Sequence, residues 1–428
     1  MSSATRPSSD DPKPARKRRP LGPLDTGRHA PLPGVGGIVL RCALFVLGMG
    51  ATLFALRALA APGGGDLIAS KRQVFERRAD QVDTLLLGSS HVYRGVVPSQ
   101  LDDVLGAGGT PARSYNYGIQ LPSLIELRFV LREALAESDG RLKRVVLEYM
   151  RLVPQIDPQH AFLPRMIYWH DRESALLAAE RVSHWSAELG ADFAFVERTE
   201  TGRDGQEVLR RANSTTGFLD RALPAPSRAR RDHVLHWFSN LAMVGRSEDL
   251  ARGLLGMDQP LVGWVAPGSG YVSLEAEDRR LRDLGISDNT YSRRNELFRA
   301  EPEAYLRRVE ALRTEAQVFG DEEWMNSDLV QVDDLEVLRQ MHEDCRAAGA
   351  GLVVVLMPAN STDRPLEARL EAELGVPVLL YTDPDAHPTL YDPDLRYDSG
   401  HFNEAGARAF TDVLGADLLD LIEAGRLE

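Results

Sequence analysis

The chain is poor in cysteine, with two residues in 428, Cys42 and Cys345. Cys42 falls in an apolar run near the N-terminus, so the remainder holds one thiol and cannot close an internal disulfide. No Cys/His grouping has the spacing of a zinc site, and no metal is expected. A glycine-rich phosphate loop ending in Lys is also absent, which removes the usual support for nucleotide hydrolysis. There is no internal repeat. Basic side chains are in deficit: 63 acidic residues outnumber 50 basic ones, for a net charge of −13, which argues against broad nucleic-acid binding. What is present is the composition of a globular protein, 43% hydrophobic and 26% charged, with ample length to bury a core.

The charge is unevenly placed. Residues 1–34 carry seven Lys/Arg against three Asp, and their Pro, Ser and Arg content predicts a disordered basic tail. Arg41 and Arg57 are the only charges in residues 35–61, so everything from Pro62 onward sums to −19. Between the basic arm and the acidic body lies the one long apolar run. Its uncharged stretch from Cys42 to Leu56 spans about 23 Å as a helix, so Arg41 and Arg57 must snorkel toward the two faces of a bilayer core roughly 30 Å thick. Arg16, Lys17, Arg18 and Arg19 precede the run, which places the N-terminus in the cytoplasm and the body outside it. Ala58-Leu59-Ala60 resembles a small-x-small cleavage site, so a removed signal peptide and a soluble, released body stay open as alternatives. Pro62-Gly63-Gly64-Gly65 then reads as a tether within a lead-in that runs to residue 79.

From residue 80 the pattern is α/β. Short apolar runs at 82–87, 113–118, 144–149, 352–357 and 376–381 predict strands, and helical periodicity marks 122–137, 365–374 and about 404–422. Strands alternating with helices imply a parallel sheet covered on both faces, with sites at the carboxyl ends of its strands. Residues 154–328 break the rhythm. They hold all five Trp residues and long helical segments, and read as a mainly helical insertion between residues 80–153 and 329–428, the two parts of one domain. The histidines of this insertion, His160, His170, His184, His233 and His236, have no ligand spacing and read as surface or core residues.

Two motifs carry chemistry. Leu87-Gly88-Ser89-Ser90-His91 follows the first strand directly, and a serine on such a turn is a weak nucleophile that needs an adjacent base. It lacks the last glycine of Gly-x-Ser-x-Gly and is not the usual α/β-hydrolase elbow. Tyr397-Asp398-Ser399-Gly400-His401-Phe402-Asn403 lies between the fifth strand and the final helix. There a carboxylate three residues before an imidazole can fold back and orient it, while a plain helix-capping loop is the structural alternative. His91, next to the serine, is a candidate second base, but adjacent side chains rarely point together, and it reads as a turn or partner contact.

In these blocks the chain resembles the SGNH/GDSL hydrolase superfamily: a strand ending in Gly-x-Ser, here Gly88-Ser89-Ser90, and a late Asp-x-x-His before an amphipathic helix, here Asp398-Ser399-Gly400-His401. The resemblance implies a doubly wound, flavodoxin-like α/β fold with about five parallel strands. It also implies Ser90 as nucleophile, His401 as base and Asp398 as the orienting carboxylate. Gly88 and the turn Tyr115-Asn116-Tyr117-Gly118 are expected to help bind substrate or its oxyanion through Gly88, Asn116 and Gly118. The third block, Gly-x-Asn-Asp, is replaced by Glu148-Tyr149-Met150-Arg151, which removes one side-chain oxyanion donor. A single N-terminal anchor ahead of such a domain is similar to the envelope acyl-transfer branch, the proteins of D-alanyl-lipoteichoic acid biosynthesis and alginate O-acetylation. That similarity implies an acylated polysaccharide or teichoic-acid-like polymer and a multi-spanning membrane O-acyltransferase as partners, and no cofactor. A non-catalytic accessory protein with the same fold stays open beside the esterase or acyltransferase.

Overall fold

The computed structural model describes residues 35–60, 65–150, 164–189, 199–201, 207–209, 225–242, 250–251, 254–255, 268–287, 289–315, 317–318, 328–358 and 362–427. The basic tail and three of the tether residues, 62–64, lie outside these, as does His160. The chain divides into two units, Met1–Thr52 and Leu53–Glu428.

Helix α1, Val35–Leu59, is the apolar run. Within Gly36–Leu59, an 18-residue stretch has a mean hydropathy of 2.1 and none of that stretch is buried. The 24 residues of Gly36–Leu59 reach about 36 Å, enough to cross a bilayer core. From Gly65 the chain is helical again. Helix α2, Gly65–Glu76, buries Ile68 and Phe75 and places Lys71 Nζ 2.9 Å from the Asn116 carbonyl oxygen, so the lead-in is part of the folded body.

Five strands form one all-parallel sheet: β1 Thr84–Leu87, β2 Ser114–Asn116, β3 Arg144–Glu148, β4 Gly351–Leu356 and β5 Val378–Leu380. Their order is β2-β1-β3-β4-β5. Each expected apolar run contains or overlaps its strand. Both faces are buried, and the residues alternate between two apolar clusters as the pleat demands. Leu85, Leu87, Val145, Leu147, Leu352 and Val354 enter one cluster; Leu86, Val146, Val353 and Val355 enter the other. This burial on two sides is why the strands read as continuous hydrophobic runs.

The first face is covered by α5 (Leu124–Ser138) through Leu127 and Leu131, and by α11 (Asp328–Ala347) through Leu338 and Met341. The second is covered by α4 (Pro98–Ala107) through Leu101 and Leu105, and by α13 (Glu404–Glu423) through Phe410, Leu414 and Leu418. The insertion between β3 and β4 is mainly helical and serves both faces. Leu177 and Ala178 of α6 (Arg172–Leu189) join the first cluster. Phe298 of α9 (Thr290–Ala300) and Tyr305, Val309 and Leu312 of α10 (Pro302–Thr314) join the second. Of its histidines, His170 and His233 are buried and stacked, with ring centroids 5.2 Å apart, which is a core role.

Strand β1 leads to β2 on one side of the sheet centre, and β3 leads to β4 on the other. The strand order therefore reverses between β1 and β3, and the crevice at their carboxyl ends is where ligands bind in folds of this type.

Candidate active site

The serine turn fills that crevice. After Leu87 the backbone passes Glu148, at the end of β3, so closely that a Cβ on Gly88 would sit 2.5 Å from Glu148 Oε2 and 2.6 Å from Val92 Cγ2. Only glycine allows this approach. Ser89 then caps the six-residue helix α3, Ser90–Gly95, its Oγ accepting from the His91 N–H at 3.0 Å. Ser90 is the first residue of α3, so its own N–H has no partner inside the helix.

The second half of the site is the loop before α13. Tyr397 N–H donates to the His401 carbonyl oxygen at 2.9 Å, and Arg396 pairs with Phe402, closing a tight hairpin. Asp398 lies inside it, with Oδ1 accepting from the N–H groups of Gly400 and His401, both at 2.8 Å. Asn403 caps α13 by accepting from Gly406 N–H at 2.8 Å. Beneath the loop the buried Arg396 guanidinium stacks 4.4 Å from the Phe402 ring and donates to the Pro358 carbonyl oxygen at 3.2 Å. The insertion braces the loop from the other side: Asn295 Nδ2 of α9 donates to the Tyr397 carbonyl oxygen at 2.7 Å, and Arg299 to that of Arg396 at 2.9 Å.

These two pieces meet. Ser90 Oγ lies 2.9 Å from His401 Nε2, and His401 Nδ1 lies 2.9 and 3.1 Å from the two oxygens of Asp398. Because an ionised carboxylate only accepts, the imidazole carries its proton on Nδ1 and turns the Nε2 lone pair to the serine hydroxyl. Burial works against the charge on Asp398, but the hydrogen bond and charge of His401, with the two backbone N–H groups, hold its carboxyl below the ordinary range. Burial pushes His401 below the ordinary histidine value. Asp398 opposes this, and the electrostatic influence of the neighbouring His91 and Arg294 adds to it. The imidazole is therefore neutral near pH 7, as a base must be.

No protein-family model, curated protein or solved structure matches the chain. The site therefore rests on its own geometry.

Ser90, His401 and Asp398 are brought together, whereas Asn116 and Gly118 are used inside the fold. The Asn116 amide donates to the carbonyl oxygens of Val92 and Val96 at 2.7 and 2.8 Å, and its Oδ1 accepts from Gly118 N–H at 3.0 Å. Asn116 is wholly buried, and a Cβ on Gly118 would sit 2.4 Å from the Tyr93 nitrogen. Their expected role toward substrate is thus corrected. Both hold the far end of α3 against β2, and neither has an N–H left for an oxyanion. Gly88 likewise serves close packing.

Glu148 and Asn295 are neighbours that the sequence reading leaves out, and His91 is one that it sets aside as a turn or partner contact. Glu148, 3% exposed, accepts from Ser89 N–H at 2.5 Å, from Ser89 Oγ at 2.9 Å and from His91 Nδ1 at 2.8 Å. The signal for it was present: a carboxylate closing the otherwise apolar run Val145-Val146-Leu147 at the carboxyl edge of a central strand. His91 stands with its ring centroid 5.3 Å from that of His401, although it is adjacent to Ser90 in the chain. Asn295 had no signal in the sequence, because its contact with the loop spans 102 positions. Among the described residues no group of three His, Cys, Asp or Glu side chains is arranged to hold a metal ion.

Proposed function

We propose that this protein is a serine esterase or O-acyltransferase of SGNH type, anchored in a membrane by α1 with its body on the extracytoplasmic side. The observation that carries the reading is the chain of contacts from Ser90 Oγ through His401 to Asp398. In the reaction, Ser90 Oγ attacks the carbonyl carbon of an acyl ester and passes its proton to His401 Nε2. The carbonyl π pair moves onto oxygen. When the C=O re-forms, the bond to the leaving alkoxide breaks and His401 returns the proton to that oxygen. The acyl-serine then reacts in the same way with water or with a sugar hydroxyl. Asp398 keeps the imidazole in the required tautomer and balances the imidazolium. The N–H of Ser90 is one donor available to the carbonyl oxygen.

The acyl esters of cell-envelope glycopolymers are the substrate class. An acidic body behind a basic N-terminal segment and an apolar helix supports an enzyme held at the outer face of a membrane. A multi-spanning O-acyltransferase is the partner that would deliver the acyl group. The second reading, a non-catalytic binding protein of the same fold, draws support from the commitment of Asn116 and Gly118 within the fold. One experiment separates the two readings. Cells expressing Ser90→Ala are compared with wild type for ester content of the envelope polymer, alongside reporter fusions placed after Gly65. The enzyme reading predicts loss of the ester at unchanged protein level and a signal only from an extracytoplasmic reporter. Unchanged ester content in Ser90→Ala cells supports the binding protein instead.

A further inference from the structure

The end of the apolar run is tied to the insertion. Arg57, the charge that closes the run, donates from Nη1 to the Asn240 carbonyl oxygen at 3.0 Å. Asn240 lies in the last turn of α7 (Ala225–Leu241), a helix of the insertion. A guanidinium suits that position, where the last carbonyl oxygens and the negative end of the helix dipole gather. The Asn240 side chain ties the same turn to the body, Nδ2 donating to the carbonyl oxygens of Tyr168 and His170 at 3.1 and 3.2 Å. An arginine bounding a membrane-spanning run lies at the level of the lipid headgroups. The C-terminal end of α7 therefore stands at that level as well.

The two sides of α7 differ. His233, His236 and Asn240 are buried. Leu235, Phe238 and Leu241 share the other side at helical spacing and are 50%, 50% and 46% exposed. Trp237, half-buried, borders them with its ring centroid 4.9 Å from that of Phe238. The helix is also polarised along its length. Arg228, Arg230 and Arg231 against Asp232 make its first half basic, in a chain whose net charge is −13. Its last two turns hold the exposed apolar side chains, at the end that meets Arg57. Apolar and aromatic side chains beside a basic segment are the make-up of a helix that lies in a membrane interface.

We infer that α7 is a membrane-docking surface: Leu235, Phe238 and Leu241 enter the outer interface of the phospholipid bilayer that α1 crosses, with the basic first half of the helix at headgroup level. The inference rests on α1 as a retained anchor and is independent of Ser90 as a nucleophile. A body held by one spanning helix is free to swivel about that helix. A second apolar contact with the lipid removes this freedom, and the bond from Arg57 to Asn240 sets the two contacts at one depth. The insertion thereby gives the body, and the crevice within it, one orientation toward the membrane surface.

The test uses the full-length chain in vesicles of phosphatidylcholine and phosphatidylglycerol, with Cys42→Ser so that the buried Cys345 is the one native thiol left. Phe238→Cys and Leu241→Cys are each labelled with a nitroxide, and collisions with oxygen and with a water-soluble nickel chelate are compared. Oxygen collisions should exceed chelate collisions at both positions, as for a label at the acyl boundary. Chelate collisions in excess at either position overturn the inference, whether the face is left to water or kept for a protein partner. Line broadening that grows with the protein-to-lipid ratio marks a second copy as the occupant and overturns it too. Extraction with alkaline carbonate separates this inference from the anchor. A chain stripped from the vesicles has no anchor, and both readings fall. A chain retained with chelate-exposed labels loses the docking alone. Should either cysteine variant not fold, brominated phospholipid carries the test. It should quench the tryptophan fluorescence of the unlabelled wild type, and Trp237→Phe should remove most of that quenching. Equal quenching in the two proteins overturns the inference.

Discussion

Ser90 Oγ and His401 Nε2 lie 2.9 Å apart across 311 positions of chain. A contact so distant in sequence is made by the sheet. Ser90 opens α3 directly after β1, and His401 stands just before α13, which packs on α3 and α4 over one face of the sheet. Phe402 and Phe410, stacked with centroids 5.6 Å apart, tie the loop to the helix that follows it. The pair is thus held by the core, as a preorganised nucleophile and base require.

Asp398 is where the serine–histidine pair should be most sensitive to a small change. Asp398→Asn keeps the volume but turns an acceptor toward an N–H donor, and it favours the wrong tautomer of His401. Hydrolysis of a chromogenic acetyl ester should fall about 10³–10⁴-fold in kcat with KM little changed. The far-ultraviolet circular dichroism spectrum should match the wild type.

The pH dependence on the acid side follows from His401. Its pKa is lowered by burial, with lesser electrostatic influence from His91 and Arg294, against the raising effect of Asp398. The imidazole accepts a proton only when neutral, so activity is lost as pH falls through that lowered value. The acid limb of kcat/KM should therefore lie below the ordinary histidine value of about 6.5. Arg294→Gln removes a positive charge and should shift the limb to higher pH, as read from full pH–rate profiles.

Gly88 should tolerate no side chain. A methyl group there meets Glu148 and Val92 at distances no carbon can hold, so Gly88→Ala must push β1 and β3 apart at the crevice. The cost should be about 1–3 kcal/mol of stability, typical of overpacking. Thermal melting should show a lowered midpoint, and activity should fall further than the melting curve alone explains.

The insertion should matter to catalysis through one contact. Asn295→Leu removes the hydrogen bond that α9 makes to the Tyr397 carbonyl oxygen at 2.7 Å. The loop bearing Asp398 and His401 then loses a brace, and the structural cost is about 1 kcal/mol. The expected result is a reduced kcat, while phosphonate labelling still occurs at Ser90. Stopped-flow kinetics of acylation measure this directly.

Much of the framework was readable from the chain. The five strands announce themselves as apolar runs because both faces of the sheet are buried, and Gly88-Ser89-Ser90 and Asp398-Ser399-Gly400-His401 flank elements whose periodicity is plain. Asn116 reads as a residue turned to substrate, yet its amide is consumed by the carbonyl groups of Val92 and Val96, and local pattern carries no information about such partners. The same limit applies to Glu148 and His91. Adjacent side chains in an extended segment diverge, but Ser90 and His91 sit in the first turn of a helix, and Glu148 draws His91 back toward the crevice. The part of α9 that braces the loop belongs to an insertion whose helices show their own periodicity and nothing of where they dock.

The account stands or falls on Ser90 as a nucleophile. The direct measurement is peptide mass spectrometry of the full-length protein after incubation with a fluorophosphonate ester. The account predicts a single phosphonyl adduct on Ser90, formed in the wild type, strongly slowed in His401→Ala and absent in Ser90→Ala. No adduct on Ser90 in the wild type, or an equal rate of labelling in His401→Ala, would contradict it.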